Sequence, residues 1–187
     1  MEVMGTSVLR KSADRVIEEA RVATANRTSF DIFLSHSIQD KELVIGAQRV
    51  LERGGRSVYV DWMVDPKLDR TKVTGATAEK LRARMRQCKS MMYLYTKNSQ
   101  ISRWMPWELG YFDGFNGNVS VLPIIPDSGT LDFAKEEYLQ LYPKVDFSNP
   151  IAARPGIYVN KVRGLETGTY KSLNEWADGT DKLRPVN

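Results

Sequence analysis

Glu108 and the two tryptophans before it, Trp104 and Trp107, are the residues best placed to do chemistry. They lie in Ser102-Arg103-Trp104-Met105-Pro106-Trp107-Glu108-Leu109-Gly110-Tyr111, just after the apolar run Met91-Met92-Tyr93-Leu94-Tyr95. The run predicts a buried strand. Pro106 suits the first turn of a helix, where its missing N–H costs nothing. That would put Glu108 in the same first turn, where outward amides and the helix dipole favour a carboxylate. An anionic group beside aromatic surface, near the C-terminal end of a strand, can stabilise a cation forming in a ligand. A Glu that merely starts a helix and two core tryptophans give the same spacing, so residue types alone leave both readings open.

Ser35, His36 and Asp61 form a second group. Ser35 and His36 follow the apolar strand-like segment Phe30–Leu34, and Asp61 follows Ser57–Val60. A serine nucleophile with His36 as base is disfavoured, because Ser35 and Ser37 are its sequence neighbours and a triad needs geometry that neighbours rarely give. Arg103 reads either as a phosphate contact or as a solvated side chain. One His and one Cys cannot build a His/Cys metal cluster, so no metal is expected. Cys88 follows Leu81 and Met85 at helical spacing, which points to packing rather than reactivity. There is no Gly-x-Gly-x-x-Gly after the first strand, no Walker lysine motif and no Gly-x-Ser-x-Gly elbow.

The elements that must position these residues alternate in type. Residues 7–24 predict an amphipathic helix. The strand 30–34 leads to a helix over roughly 39–53 with Leu43, Val44, Ala47, Val50 and Leu51 on its apolar face, stopped by Gly54-Gly55. After the second strand, a polar loop of roughly 14 residues runs from Trp62 to Gly75, a length that points to binding or gating. A helix over 76–87, the strand 91–95, a helix over about 105–115 and a strand at 119–125 follow. A short helix at 131–139, a fifth strand at 157–160 and a closing helix at 170–177 complete the prediction. The alternation argues for an α/β domain with a parallel sheet of about five strands flanked by helices. Ligands gather at the C-terminal ends of such strands, where Ser35, His36, Asp61 and Glu108 all fall.

With 27 Lys and Arg against 23 Asp and Glu, the net charge is a mild +4. That balance predicts no nucleic-acid partner and is compatible with an anionic metabolite. Residues 80–103 hold seven basic residues and no acid, which reads as a solvated helix face or a phosphate- or partner-facing surface. No apolar stretch approaches the ~20 residues that span a bilayer, and no basic-then-apolar leader opens the chain. No membrane association and a cytoplasmic location are the resulting expectations, and a single Cys fits a reducing compartment.

The segment FDIFLSHSIQDK, Phe30 to Lys41, resembles the opening strand and loop of TIR (Toll/interleukin-1 receptor) domains. Val58 to Asp61 resembles the second strand of that family, the long loop after it resembles the variable BB loop, and Trp104 to Glu108 resembles the segment carrying the catalytic Glu of NAD-cleaving members. The likeness covers about residues 29–165, so residues 1–28 read as an N-terminal helical extension and 29–187 as one TIR-like domain with a flavodoxin-like fold. Size and layout resemble bacterial anti-phage TIR proteins of the Thoeris type. The loop after Asp61 lacks the glycines of many TIR enzymes.

The resemblance implies NAD as substrate, no separate cofactor, and Glu108 as the catalytic residue. It implies contacts to ribose or phosphate from Ser35 and His36, to an adenosine or ribose hydroxyl or else to the Ser35 loop from Asp61, and to phosphate from Arg103, with Trp104 or Trp107 against nicotinamide. It further implies a cyclic ADP-ribose-type messenger, a homo-oligomer on activation, and a separate effector reached through the diffusible nucleotide. A non-enzymatic TIR interaction module and a nucleoside or nucleotide N-glycosidase are the alternatives.

Overall fold

The computed structural model describes residues 18, 22, 27–68, 74–124, 136–147, 156–163, 166–179 and 184–185. The first strand, β1 (Phe30–Ser35), is buried at every position but Asp31. It lies between β2 (Val58–Tyr59) and β3 (Cys88–Tyr95), and β4 (Val119–Pro123) and β5 (Lys144–Asp146) follow beyond β3, all parallel. Three antiparallel strands extend the sheet: β6 (Tyr158–Arg163), β7 (Glu166–Ser172) and β8 (Arg184–Pro185). The order is β2-β1-β3-β4-β5-β6-β7-β8, so the parallel part has the flavodoxin-like order 2-1-3-4-5.

Alternate residues of the central strands feed two cores. Met91, Tyr93 and Tyr95 of β3 pack with Leu81, Met85, Trp104, Met105, Leu109 and Phe112. Met92 and Leu94 pack on the other face with Val44, Ala47, Leu51, Leu173 and Trp176. Burial on both faces explains why β3 reads as a continuous apolar run rather than an alternating one. The covering helices are α1 (Lys41–Arg53), α2 (Asp61–Val64), α3 (Gly75–Arg86), α4 (Trp104–Phe115) and α5 (Leu173–Ala177). The buried side of α1 is Val44, Ala47, Gln48 and Leu51; Leu43, expected on it, is 43% exposed. Gly55 at φ +82° supplies the left-handed residue that ends α1.

Several expectations need correction. The fifth parallel strand is β5, three residues long, and residues 158–163 run antiparallel beside it. The closing helix begins only at Leu173, because residues 166–172 pair as β7; Ser172 then caps α5 in a capping box with Glu175. The polar loop after β2 opens with a helical turn, α2, in which the Asp61 carboxylate accepts from the Trp62 N–H at 2.7 Å. Residues 69–73 of that loop lie outside the described residues, as do all of 7–24 except Glu18 and Val22, and 131–135 of the predicted short helix; 137–141 form a 3-10 turn. Cys88 opens β3, buried, with its thiol on the Arg84 carbonyl at 3.2 Å. Burial pushes that thiol well above the usual range.

Candidate active site

In the 2-1-3-4-5 order, the chain turns opposite ways after β1 and β3, and a crevice forms between their C-terminal ends. Ser35 is the last residue of β1, in register with Tyr93 of β3. Its hydroxyl donates to Glu108 Oε2 at 2.6 Å. Both residues are fully buried. The structure therefore brings together two of the residues singled out from the sequence, from β1 and from the helix after β3.

Helix α4 starts at Trp104, one residue before the expected start at about 105, with the Ser102 hydroxyl accepting from the Met105 N–H at 3.3 Å. Proline is tolerated throughout the first turn, so Pro106 does not fix the start. Glu108 thus stands in the second turn, beyond the outward amides. It shares the inner face of α4 with Trp104, four residues before it; Trp104 is 8% exposed and packs in the core.

The loops on either side of the crevice are clamped. Asp40, at the start of α1, accepts from the Thr96 hydroxyl and from the Asn98 amide, each at 2.6 Å. This joins the β1 loop to the β3 loop. Tyr93 also lies in this region: burial raises its hydroxyl, followed by contacts with Tyr138 and the fields of Glu136 and Glu108. Tyr138 is pushed up to about 12 by burial and its hydrogen bond to Glu136. Asp40 and Tyr93 escape a sequence reading because one looks like helix-start polarity and the other like strand core.

His36 is 1% exposed and turned inward. Its Nδ1 is 2.8 Å from the Leu34 carbonyl, and its Nε2 lies 3.0 Å from Trp62 Nε1 and 3.3 Å from Asp61 Oδ1. Asp61, also buried, stands at the head of α2. Arg103 is exposed at the N-cap of α4. Trp107 is half-buried, edge-on to Trp104 at 5.4 Å and stacked on Tyr111 at 6.0 Å. The Arg82 guanidinium lies over both Trp107 and Tyr111.

Lys80, Arg82, Arg84, Arg86 and Lys89 of the basic stretch 80–103 all meet carboxylates or aromatic rings. Arg84 makes two bonds to Asp65, at 2.7 and 3.0 Å, and Lys80 a third at 2.9 Å. Tyr59 donates to the same carboxylate at 2.9 Å. Burial raises Asp65, but these partners outweigh it and hold the group below the usual range. The ion pairs fix the segment after α2 to α3. Among the described residues, no group of three His, Cys, Asp or Glu side chains could hold a metal, and no helix is long and apolar enough to cross a membrane. A cavity of about 390 Å³, lined by Asp113, Asn118, Tyr142 and Trp176 among others, opens at the N-terminal ends of the strands and includes none of the site residues.

A parallel 2-1-3-4-5 sheet with a carboxylate held at the β1/β3 crevice defines a flavodoxin-like α/β protein whose candidate site lies at the strand ends. The chain belongs to the TIR domain family, whose model matches residues 32–155. It is closely related to bacterial ThsB-type cyclic ADP-ribose synthases. It is 44% identical over 135 residues, 72% of this chain and 70% of the relative, to the "Probable 3' cyclic ADP-D-ribose synthase ThsB'" of Bacillus cereus (strain MSX-D12). It is 32% identical over 87 residues to the "Putative cyclic ADP-D-ribose synthase TIR2" of Cytobacillus dafuensis, covering 46% of this chain and 23% of that protein. Among solved structures, the TIR domain of the Toll-related receptor TRR-2 from Hydra magnipapillata aligns over 58% of this chain and 79% of its own, with 15% identity and a TM-score of 0.41.

Proposed function

We propose that this TIR domain cleaves the nicotinamide–ribose bond of NAD and closes the ADP-ribose part into a cyclic signalling nucleotide, in anti-phage defence. The observation that carries the reading is the Ser35–Glu108 contact at the crevice between β1 and β3. The names of the two bacterial relatives support the product class.

The nicotinamide ring is already cationic in NAD and leaves as a neutral molecule by taking the bonding pair from C1′, so acid assistance is secondary. The demand is for negative charge beside C1′ as the ribosyl cation develops. Glu108 supplies it, much as a carboxylate does in glycoside hydrolysis. Ser35 aims that carboxylate. Water attack would give ADP-ribose; adenosine folded back over C1′ gives the cyclic product by effective concentration. Trp104 and Trp107 contribute aromatic surface that keeps water out.

Glu108 is fully buried, so substrate reaches it only when the side chains above it move. A site closed at rest suits an enzyme that waits for a trigger. Assembly into a homo-oligomer on activation is the proposed opening step, and a separate effector then reads the diffusible nucleotide.

The test is turnover of NAD in oxygen-18 water with extract from phage-infected cells. A cyclic product of mass equal to NAD minus nicotinamide, free of label, is expected. Labelled linear ADP-ribose as the sole product contradicts cyclisation, and intact NAD contradicts the whole reading.

A further inference from the structure

Ser35 and His36 are neighbours whose side chains serve different partners. Ser35 reaches α4 through Glu108, while the His36 ring is gripped between its own strand and α2. The Leu34 carbonyl at 2.8 Å accepts from Nδ1, which sets the ring proton there. Nε2 then presents a lone pair, and the Trp62 indole N–H meets it at 3.0 Å. Asp61 Oδ1 is 3.3 Å from the same nitrogen, but its shorter contact is the Trp62 backbone N–H at 2.7 Å. A proton on Nε2 would point toward Asp61 and set a second donor against the indole N–H. The indole therefore selects the neutral Nδ1–H tautomer. The Lys41 ammonium lies 5.9 Å over the Trp62 ring.

We propose that Trp62 is a positioning residue of the Glu108 site. Acting through His36, it holds the Ser35–His36 backbone so that the Ser35 hydroxyl stays on Glu108. This rests on the reading of Glu108 as the NAD-cleaving carboxylate. It also gives the segment that follows β2 a direct mechanical line to the reacting centre. Displacing Trp62 releases the His36 ring, and the adjoining Ser35 loses its aim. Because the effect is on the placement of a charge that matters most in the transition state, it falls on kcat and spares KM.

His36 is the sole histidine of the chain, so the side-chain nitrogen-15 spectrum of the imidazole reports on it alone. The wild-type protein is expected to show the Nδ1–H tautomer and a through-hydrogen-bond coupling between Trp62 Nε1 and His36 Nε2. Trp62→Phe keeps an aromatic ring and removes the donor. It should lose the coupling and lower kcat for nicotinamide release about tenfold, the scale of one positioned hydrogen bond, with KM within about twofold. In a Ser35→Ala background the same substitution should cost nothing further.

A proton on Nε2 of the wild-type imidazole, or absence of the coupling, overturns the proposal and needs no variant that folds. So does a wild-type kcat in W62F, or an equal loss with and without Ser35, in either case while Glu108→Gln is inactive. Wild-type release by E108Q instead overturns the reading beneath it, which the imidazole spectrum does not touch.

Discussion

The Ser35 hydroxyl and the Glu108 carboxylate, 73 positions apart in sequence, meet at 2.6 Å at the C-terminal edge of the sheet. Strand β1 delivers the first and helix α4 the second, and the pairing exists only because β3 inserts beside β1. A short hydrogen bond between fully buried partners both orients the carboxylate and satisfies one of its oxygens.

Ser35→Ala removes that donor. Nicotinamide release should fall about tenfold and the unfolding free energy by about 1–2 kcal/mol, since a buried acceptor loses its partner. Steady-state kinetics and urea unfolding on the same preparation check both. Unchanged kcat would separate Ser35 from the chemistry.

Acid stability provides a test of the other end of β1. Burial raises the Asp31 carboxyl, but hydrogen bonds from Lys89 and from the Ser57 N–H and hydroxyl outweigh it and hold it at about 2, against 3.8 for the free side chain. A carboxyl depressed by folding stabilises the protein above its unfolded value, and that stability is lost as pH falls toward the folded one. The urea midpoint should therefore drop between about pH 4 and 2. Asp31→Asn should be less stable at neutral pH and show a shallower drop. Asp65 and Asp178 are lowered too, by Arg84 and Arg56, so the slope should flatten without vanishing. A parallel acid profile for D31N would contradict the assignment.

Activation by assembly predicts that specific activity rises with protein concentration. On that reading Arg70→Glu, a charge reversal in the sequence after Asp65, should lower activity at least about tenfold. Its melting temperature should stay close to wild type. Equal specific activity across a wide dilution series, with wild-type rates for R70E, would count against assembly.

The parallel half of the fold was legible because strands buried on both faces read as apolar runs that stop abruptly at polar residues. Phe30 to Ser35, Val58 to Asp61 and Met91 to Tyr95 all have that form, and the polar residues at their ends mark the crevice. Strand β5 was not legible: of its three residues only Val145 is buried, between an exposed Lys144 and an exposed Asp146. With that strand missed, the antiparallel Tyr158–Arg163 took its place. The turn that holds Glu108 is not legible because Pro106 permits several helix starts, and the Ser102 hydroxyl on the Met105 N–H shows only in the folded chain. Trp62 was hidden inside what reads as a polar loop. Its signal was an aromatic residue directly after a strand-ending aspartate, the pair that builds α2.

In the proposed reaction the Glu108 carboxylate cleaves NAD. The most direct test is nicotinamide release by Glu108→Gln, which keeps the side chain's size and removes its charge, on fully activated protein whose fold is verified by its melting curve. The account predicts a loss of about 100-fold or more, the scale of deleting one electrostatic catalytic group. Near-normal release from folded E108Q would contradict it.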